Sequence, residues 1–326
     1  MRVSADGGVF LRAVAVGRYG GKGGKGGKGG KGGKGGKDGK VLAMESMVTP
    51  EAQDDPASSS YTLPPFPSFP PLPPWYLWLD IAHPGYLNMA IDQALLERAC
   101  RHRERWLRLY CWQPHCLSFG RHEPATRRYD PARIAERGLD VVRRPTGGRA
   151  VWHGREVTYS IVAPADTLGA LRHAYLEIHR MLLRALRTLG APAQMAPSQP
   201  PARLDAGACF AQPVGGEIML GSNKVVGSAQ LREGGALLQH GSILLHDDQA
   251  VVQSVAREAT AEGPTPRSAE WLELGASAGE IAQAVGAAAM ARWGGAWDRQ
   301  PPVESVLELA SAHVPRFQSD AWTWRM

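Results

Sequence analysis

Two residues fifteen positions apart, Cys209 in GACFAQP and Lys224 in GSNKVVGSAQ, could together supply a nucleophile. A thiol attacks as its thiolate, and a nearby ammonium favours that charged sulfur. Lysine can also give and take a proton, whereas arginine stays charged. Residue usage singles this lysine out. Of eight lysines, seven lie between Lys22 and Lys40, and from Val41 onward Lys224 stands alone among 26 arginines. Its neighbours Val225, Val226, Gly227 and Ser228 are uncharged, so a partly buried ammonium is expected. Two plainer readings stay open here: a lysine left by chance in a turn, and a cysteine that is a buried, inert hydrophobe.

A second cluster is RRPTGGRAVWHGREVTYS, residues 143–160. A glycine pair after a strand allows close backbone approach to a ligand, since no Cβ intervenes. No phosphate-binding P-loop is present: the Gly-Lys-Ser/Thr ending is missing, and strand-like sequence follows where a helix should start. Arg143, Arg144 and Arg149 flank the turn and could hold an anionic substrate arm; the alternative is a tight corner with solvated arginines. His153 and His240 sit on apolar strands, where histidine is more often structural. Cys100 lies on an apolar helix face and reads as core. Cys111 and Cys116, with His115 and His122, do not have the spacing of a zinc ribbon, so no metal is expected.

The elements that must position these residues alternate along the chain. WYLWLDI reads as a strand, and PGYLNMAIDQALLERACR as an amphipathic helix with Leu87, Ile91, Leu95 and Ala99 on one face. RWLRLYCW and CLSFGRH, split by Gln113-Pro114, predict a hairpin. A short helix over 131–137, strands in LDVVRR, AVWH and VTYSIVA, and a long helix over 168–189 follow. EIMLGSNKVVGSAQL predicts a hairpin turning at Gly221-Ser222-Asn223, and ALLQHGSILL a further strand. Helices near 249–257, 279–292 and 303–312 complete a mixed α/β domain, richer in adjacent strands than a regular βαβ series.

Before that domain, residues 20–40 repeat GGK, too glycine-dense to bury apolar surface against chain entropy. A proline-rich spacer follows, so residues 1–74 are expected to be a disordered leader and 75–326 one catalytic domain. The tract could be a polyanion-binding arm, or translation could begin at Met44 or Met47. The first 43 residues hold ten Lys/Arg against two Asp/Glu, leaving about −2 of the formal +6 for the rest. The basic charge belongs to the leader, and the body makes no electrostatic case for nucleic acid. No run of about 18 apolar residues is present to span a membrane, and four unmatched cysteines suggest a reducing compartment. A cytoplasmic protein is expected.

Taken together, NMAIDQALL, VVRRPTGGRAVWHGREVTYSIV, NKVVGSAQLREGGALLQHGSILL and the ending SDAWTW resemble the lipoate/biotin protein ligase catalytic-domain family, from about Leu79 to the end. The similarity is greatest to its octanoyltransferase branch. ATP-using ligases of the family carry an Asp-x-Gly-Asn stretch where this chain has GREVTYS, and they need no cysteine at the position of Cys209. The resemblance implies a class II synthetase/biotin-protein-ligase-like α/β domain with a mixed sheet and flanking helices. It implies an acyltransferase that moves octanoyl from acyl carrier protein to the lysine of a lipoyl domain, such as glycine-cleavage H protein or a 2-oxoacid dehydrogenase E2 subunit. Cys209 would carry the acyl group as a thioester and Lys224 would assist it. Arg144, Thr146, Gly147, Gly148, Arg149, His153, Gly227, Ser228, Gln230 and His240 would bind substrate. No cofactor would be needed; ATP enters only if the chain is an acyl-adenylate-forming ligase. An amidotransferase between two lipoyl domains, or a non-catalytic acyl-binding module, are the other readings.

Overall fold

The computed structural model describes residues 73–197, 216–246, 248–257 and 276–325. Residues 1–72 of the expected leader, and Cys209, lie outside the described residues. Strand β1 (Trp75–His83) is followed by helix α1 (Gly85–His102), which carries the chain over to β2 (Arg105–Trp112). β2 pairs with β1 in parallel, and a parallel pair requires such a crossover. The other edge of β2 takes β6 (Glu156–Pro164) antiparallel. From β6 the sheet runs antiparallel through β10 (Ala236–Leu244), β9 (Asn223–Glu233), β8 (Ile218–Leu220) and β7 (Ala193–Met195). A two-residue strand, β11 (Trp297–Asp298), completes the eight-stranded sheet beside β1. A separate three-stranded sheet sets β3 (Cys116–Phe119) between β4 (Asp140–Arg143) and β5 (Val151–His153).

The predicted hairpin of RWLRLYCW with CLSFGRH does not form. A strand has two edges, and both edges of β2 are already taken by β1 and β6, so β3 starts the smaller sheet. The hairpin at Gly221-Ser222 does form, as β8–β9. Sequence reasoning missed β7, β11 and three short helices, α2 (Ala125–Arg128), α8 (Val314–Gln318) and α9 (Asp320–Thr323), which are too short to show a period.

Helices cover both faces of the large sheet. On one side Ile178, Met181 and Leu182 of α4 (Leu171–Thr188) and Ile281 and Val285 of α6 (Ala278–Trp293) pack on Leu107, Leu109, Tyr159 and Ile161. On the other, α1, α7 (Val303–Ser311) and α8 pack on Trp106, Tyr110, Val162 and Leu238. All nine residues of β6 are therefore buried, as in a strand with both faces covered. Around the small sheet, α2, α3 (Pro131–Glu136) and α5 (Ala250–Ser254) bring Ala125, Ile134 and Val252 against Leu117 and Phe119. Local sequence sets the helix starts. Asp130 caps α3 by accepting from Ala132 N, with Pro131 at the first position, and Ser277 and Glu280 form a capping box on α6.

Candidate active site

The turn over residues 144–150 connects β4 to β5 and is built by its glycines. Gly148 has φ +95°, a left-handed conformation that favours glycine. Close backbone approach occurs, but to another strand end: a Cβ on Gly120 would lie 1.8 Å from the Gly148 carbonyl oxygen. Arg143 and Arg144 are buried, so the solvated-arginine alternative does not hold for them, while Arg149 is half-buried. Arg143 donates to the carbonyls of Gly120 and Glu123 and to those of Thr323 and Arg325, clamping the small sheet to the C-terminal segment. Burial lowers its guanidinium to about 10, still protonated at neutral pH. Arg144 instead turns inward, donating to Ser118 O and to the carbonyls of Gly147 and Arg149.

Two histidines meet there from different sheets. His153 at the end of β5 donates from Nδ1 to Glu156 Oε1 at 2.8 Å, so its Nε2 accepts from Ser118 Oγ at 2.6 Å. Trp112 stacks on the ring with centroids 3.9 Å apart. Burial lowers the His153 pKa, partly offset by Glu156. His240 on β10 is held in a similar way: Nδ1 donates to Asp92 Oδ2 at 2.8 Å and Nε2 lies 2.6 Å from Thr146 Oγ1. Asp92, in the middle of α1, also accepts from Tyr110 OH and pairs with the buried Arg108, which is held by Asp80 and Asn88 as well.

Lys224 is buried, as expected, but not among uncharged groups. The β8–β9 hairpin sets its Nζ 2.6 Å from Glu217 Oε1. Next to it, His179 of α4 donates from Nδ1 to Gly216 O and meets Ser228 Oγ at Nε2. Burial lowers this imidazole to about 4; the Gly216 hydrogen bond opposes the shift and the Lys224 charge adds to it.

Between Arg144, His153 and His240 lies a pocket. Its walls are largely apolar or aromatic (Met89, Tyr110, Trp112, Val151), with Arg144, His153, His240, Ser228 and Ser242 as polar points. Such a lining suits an alkyl chain with a polar head.

The sequence model of the lipoyl protein ligase A/B catalytic domain matches residues 84–279. The chain belongs to that family. Octanoyltransferase LipM of Moorella thermoacetica is 44% identical over 186 residues, covering 53% of this chain and 67% of that protein. LipM of Staphylococcus aureus is 37% identical over 169 residues, covering 49% and 61%. The aligned stretch thus spans about two thirds of these relatives or slightly less. The protein Ta0514 of T. acidophilum, solved with bound lipoic acid, superposes with a TM-score of 0.64 at 20% identity, covering 77% of this chain and 99% of that one. A lipoate-protein ligase A bound with ATP gives 0.62 at 20%, covering 77% and 98%. At that identity the structures establish the shared fold, which meets the expected ligase-like α/β architecture. The expected branch, an acyltransferase of the octanoyltransferase type, is borne out by the relatives.

Within this lipoyl ligase A/B domain, the pocket gathers Arg144, Gly148, His153, Gly227, Ser228 and His240 of the expected substrate-binding set. Thr146 stands behind it, bonded to His240. Gly147, Arg149 and Gln230 are not among its lining residues, and neither is Lys224. Gln230 instead donates to Leu171 O and Gln239 Oε1. The Cys209–Lys224 pairing falls outside the described residues. Sequence reasoning passed over Asp92, Glu156, His179 and Glu217. A polar residue inside an apolar helix face, as at Asp92 and His179, was the available signal. No group of three or more metal-ligating side chains is present among the described residues, and none of their helices is long and apolar enough to cross a membrane.

Proposed function

We propose that this domain transfers octanoyl from acyl carrier protein to the lysine of a lipoyl domain through a thioester on Cys209. The observation that carries the reading is the 44% identity to an octanoyltransferase over 186 residues. The cysteine chemistry has support from the other thiols. Burial pushes Cys111 up to about 11 and Cys116 well above the usual thiol range, and raises Cys100. Thiols of that kind are poor nucleophiles at neutral pH, which leaves Cys209 for the role.

In the first step the Cys209 sulfur attacks the octanoyl carbonyl carbon, the carrier's C–S bond breaks and the carrier leaves as its thiol. In the second, the acceptor lysine nitrogen attacks the enzyme thioester, forming an amide. The nitrogen's proton ends on the released Cys209 sulfur. Lys224 assists proton movement and binds the oxygen on which charge develops. Thioester-to-amide transfer runs downhill, so the reading needs neither ATP nor metal. A cytoplasmic setting accords with the free thiols.

The decisive experiment is intact-protein mass spectrometry after incubation with octanoyl-carrier protein. One octanoyl mass on Cys209 is expected, lost with transfer in Cys209→Ala. Lys224→Arg keeps the charge but not ready proton exchange, and is expected to lower transfer by about a hundredfold or more. ATP-dependent activity surviving Cys209→Ala would overturn this reading in favour of a ligase.

A further inference from the structure

Three arginines gather where the small sheet meets the C-terminal segment. Arg316 Cζ on α8 and Arg325 Cζ lie 3.7 Å and 3.8 Å from the centre of the Trp322 ring on α9, too close for both to share a face. The two guanidiniums therefore cover opposite faces of the indole, an arrangement that leaves their N–H donors for other partners. Arg325 uses one donor on Arg121 O at 2.6 Å, whereas the Arg316 guanidinium makes no hydrogen bond or ion pair among the described residues. The third arginine, Arg121, pairs with Glu233 at 3.2 Å. Burial, then the charges of Arg121 and Arg325, lower the Arg316 pKa; Glu233 is the one described carboxylate that opposes them, and none does so at Arg325. All three arginines are half-buried, so this excess of positive charge reaches the surface.

The cluster lies on the pocket's side of the large sheet. Side chains alternate along β9, so Ala229, Leu231 and Glu233 share one face. Ala229 lines the pocket, Leu231 packs with the α1 core beside it, and Glu233 holds Arg121. Four residues of strand, about 13 Å, separate the two ends, and residues 228–231 between them are only half-buried. Arg121 also donates its backbone N–H to Thr146 O, in the pocket turn, at 2.7 Å. The indole keeps two of the guanidiniums apart, so each calls for its own anion, which separate carboxylates of a protein surface supply and a single phosphate does not. We propose that Arg121, Arg316 and Arg325 dock carboxylates that flank the target lysine of the lipoyl domain. The inference rests on the acyl-transfer reading above only for its acceptor, which the ligase reading shares. Free lysine, with a pKa of about 10.4, arrives as the ammonium and attacks only as the amine. Carboxylates beside it favour the ammonium; once they pair with arginines that hold on the lysine weakens, and the amine is easier to reach. The donor's thioester has no such proton to lose.

The test separates the two steps by rapid-quench mass spectrometry: formation of the acyl-enzyme from octanoyl-carrier protein, then its decay at increasing concentrations of lipoyl domain. Arg316→Glu is expected to raise the lipoyl-domain concentration for half-maximal decay by about tenfold or more, since a like charge then meets the acceptor's carboxylates. Arg121→Gln should raise it less, and added salt should weaken the wild type more than either variant. Acyl-enzyme formation, and transfer to the uncharged backbone mimic Nα-acetyl-lysine amide, should be the same in all three proteins. An unchanged requirement for lipoyl domain would overturn the assignment. So would weakening shared by the small amine, or weakening toward octanoyl-carrier protein as large as that toward the lipoyl domain or larger. If the wild type makes an acyl-adenylate from ATP and octanoate and no acyl-enzyme, the transferase reading fails on its own. The same comparison of lipoyl-domain concentrations, started from the adenylate, then still decides the role of the arginines.

Discussion

Asp92 shows how much of the site depends on single residues outside the pocket. Its carboxylate takes the His240 Nδ1 proton at 2.8 Å and the Arg108 Nη1 at 3.2 Å, with all three side chains buried. Removing one member of a buried ion pair strands the other charge at a cost of about 3–5 kcal/mol. Asp80 and Asn88 also hold Arg108, so the lower end of that range is expected for Asp92→Ala, read as a shift in urea midpoint. His240 would also lose the partner that sets its tautomer. Arg143 and Arg144, adjacent in sequence, divide the work differently. Arg143 ties the small sheet to the C-terminal segment and Arg144 lines the pocket, so Arg144→Ala should reduce acyl transfer while Arg143→Ala should loosen the C-terminal segment, as read by limited proteolysis.

Among the elements, the small sheet and the β8–β9 hairpin do most to place the chemistry. The end of β3 and the 144–150 turn touch backbone to backbone at Gly120, where any Cβ would overlap the Gly148 carbonyl. Gly120→Ala must therefore push the turn outward, displacing Arg144 and Thr146 together. Because backbone cannot yield as a flexible side chain can, a loss of stability of about 1–3 kcal/mol is expected together with a raised KM for the acyl donor; an unchanged KM would count against this placement of the turn. In the hairpin, pairing slips between Ile218 and Met219, and Lys224, opposite Met219, is buried together with its neighbour Val225, as in a strand with both faces covered. Lys224 pairs with Glu217 while Val226 lies in the core.

At the scale of the whole molecule, buried neutral histidines make folding depend on pH. His179 titrates at about 4 when folded, against about 6.5 in an unfolded chain. Between those values the unfolded state holds more protons, so stability rises with pH and is lost as pH falls from about 6.5 toward 4, by up to roughly 3 kcal/mol from this residue. His153 is shifted the same way. Urea midpoints measured across that window should fall with acidification, and His179→Gln should flatten the slope; an unchanged slope would show that His179 is not the responsible group. The sequence by itself determined most elements, the family, the burial of Lys224 and six of the pocket residues, because periodicity, turn residues and long ordered motifs are local. Tertiary structure alone decided that β2 pairs with β1 and β6 rather than β3, that Arg143 and Arg144 part company, and that Glu217 and His179 flank the lysine. Those outcomes, like the Asp92–His240 hydrogen bond, join residues distant in sequence, and a strand edge or a buried charge chooses its partner by what the fold brings within hydrogen-bond reach, which spacing along the chain does not record.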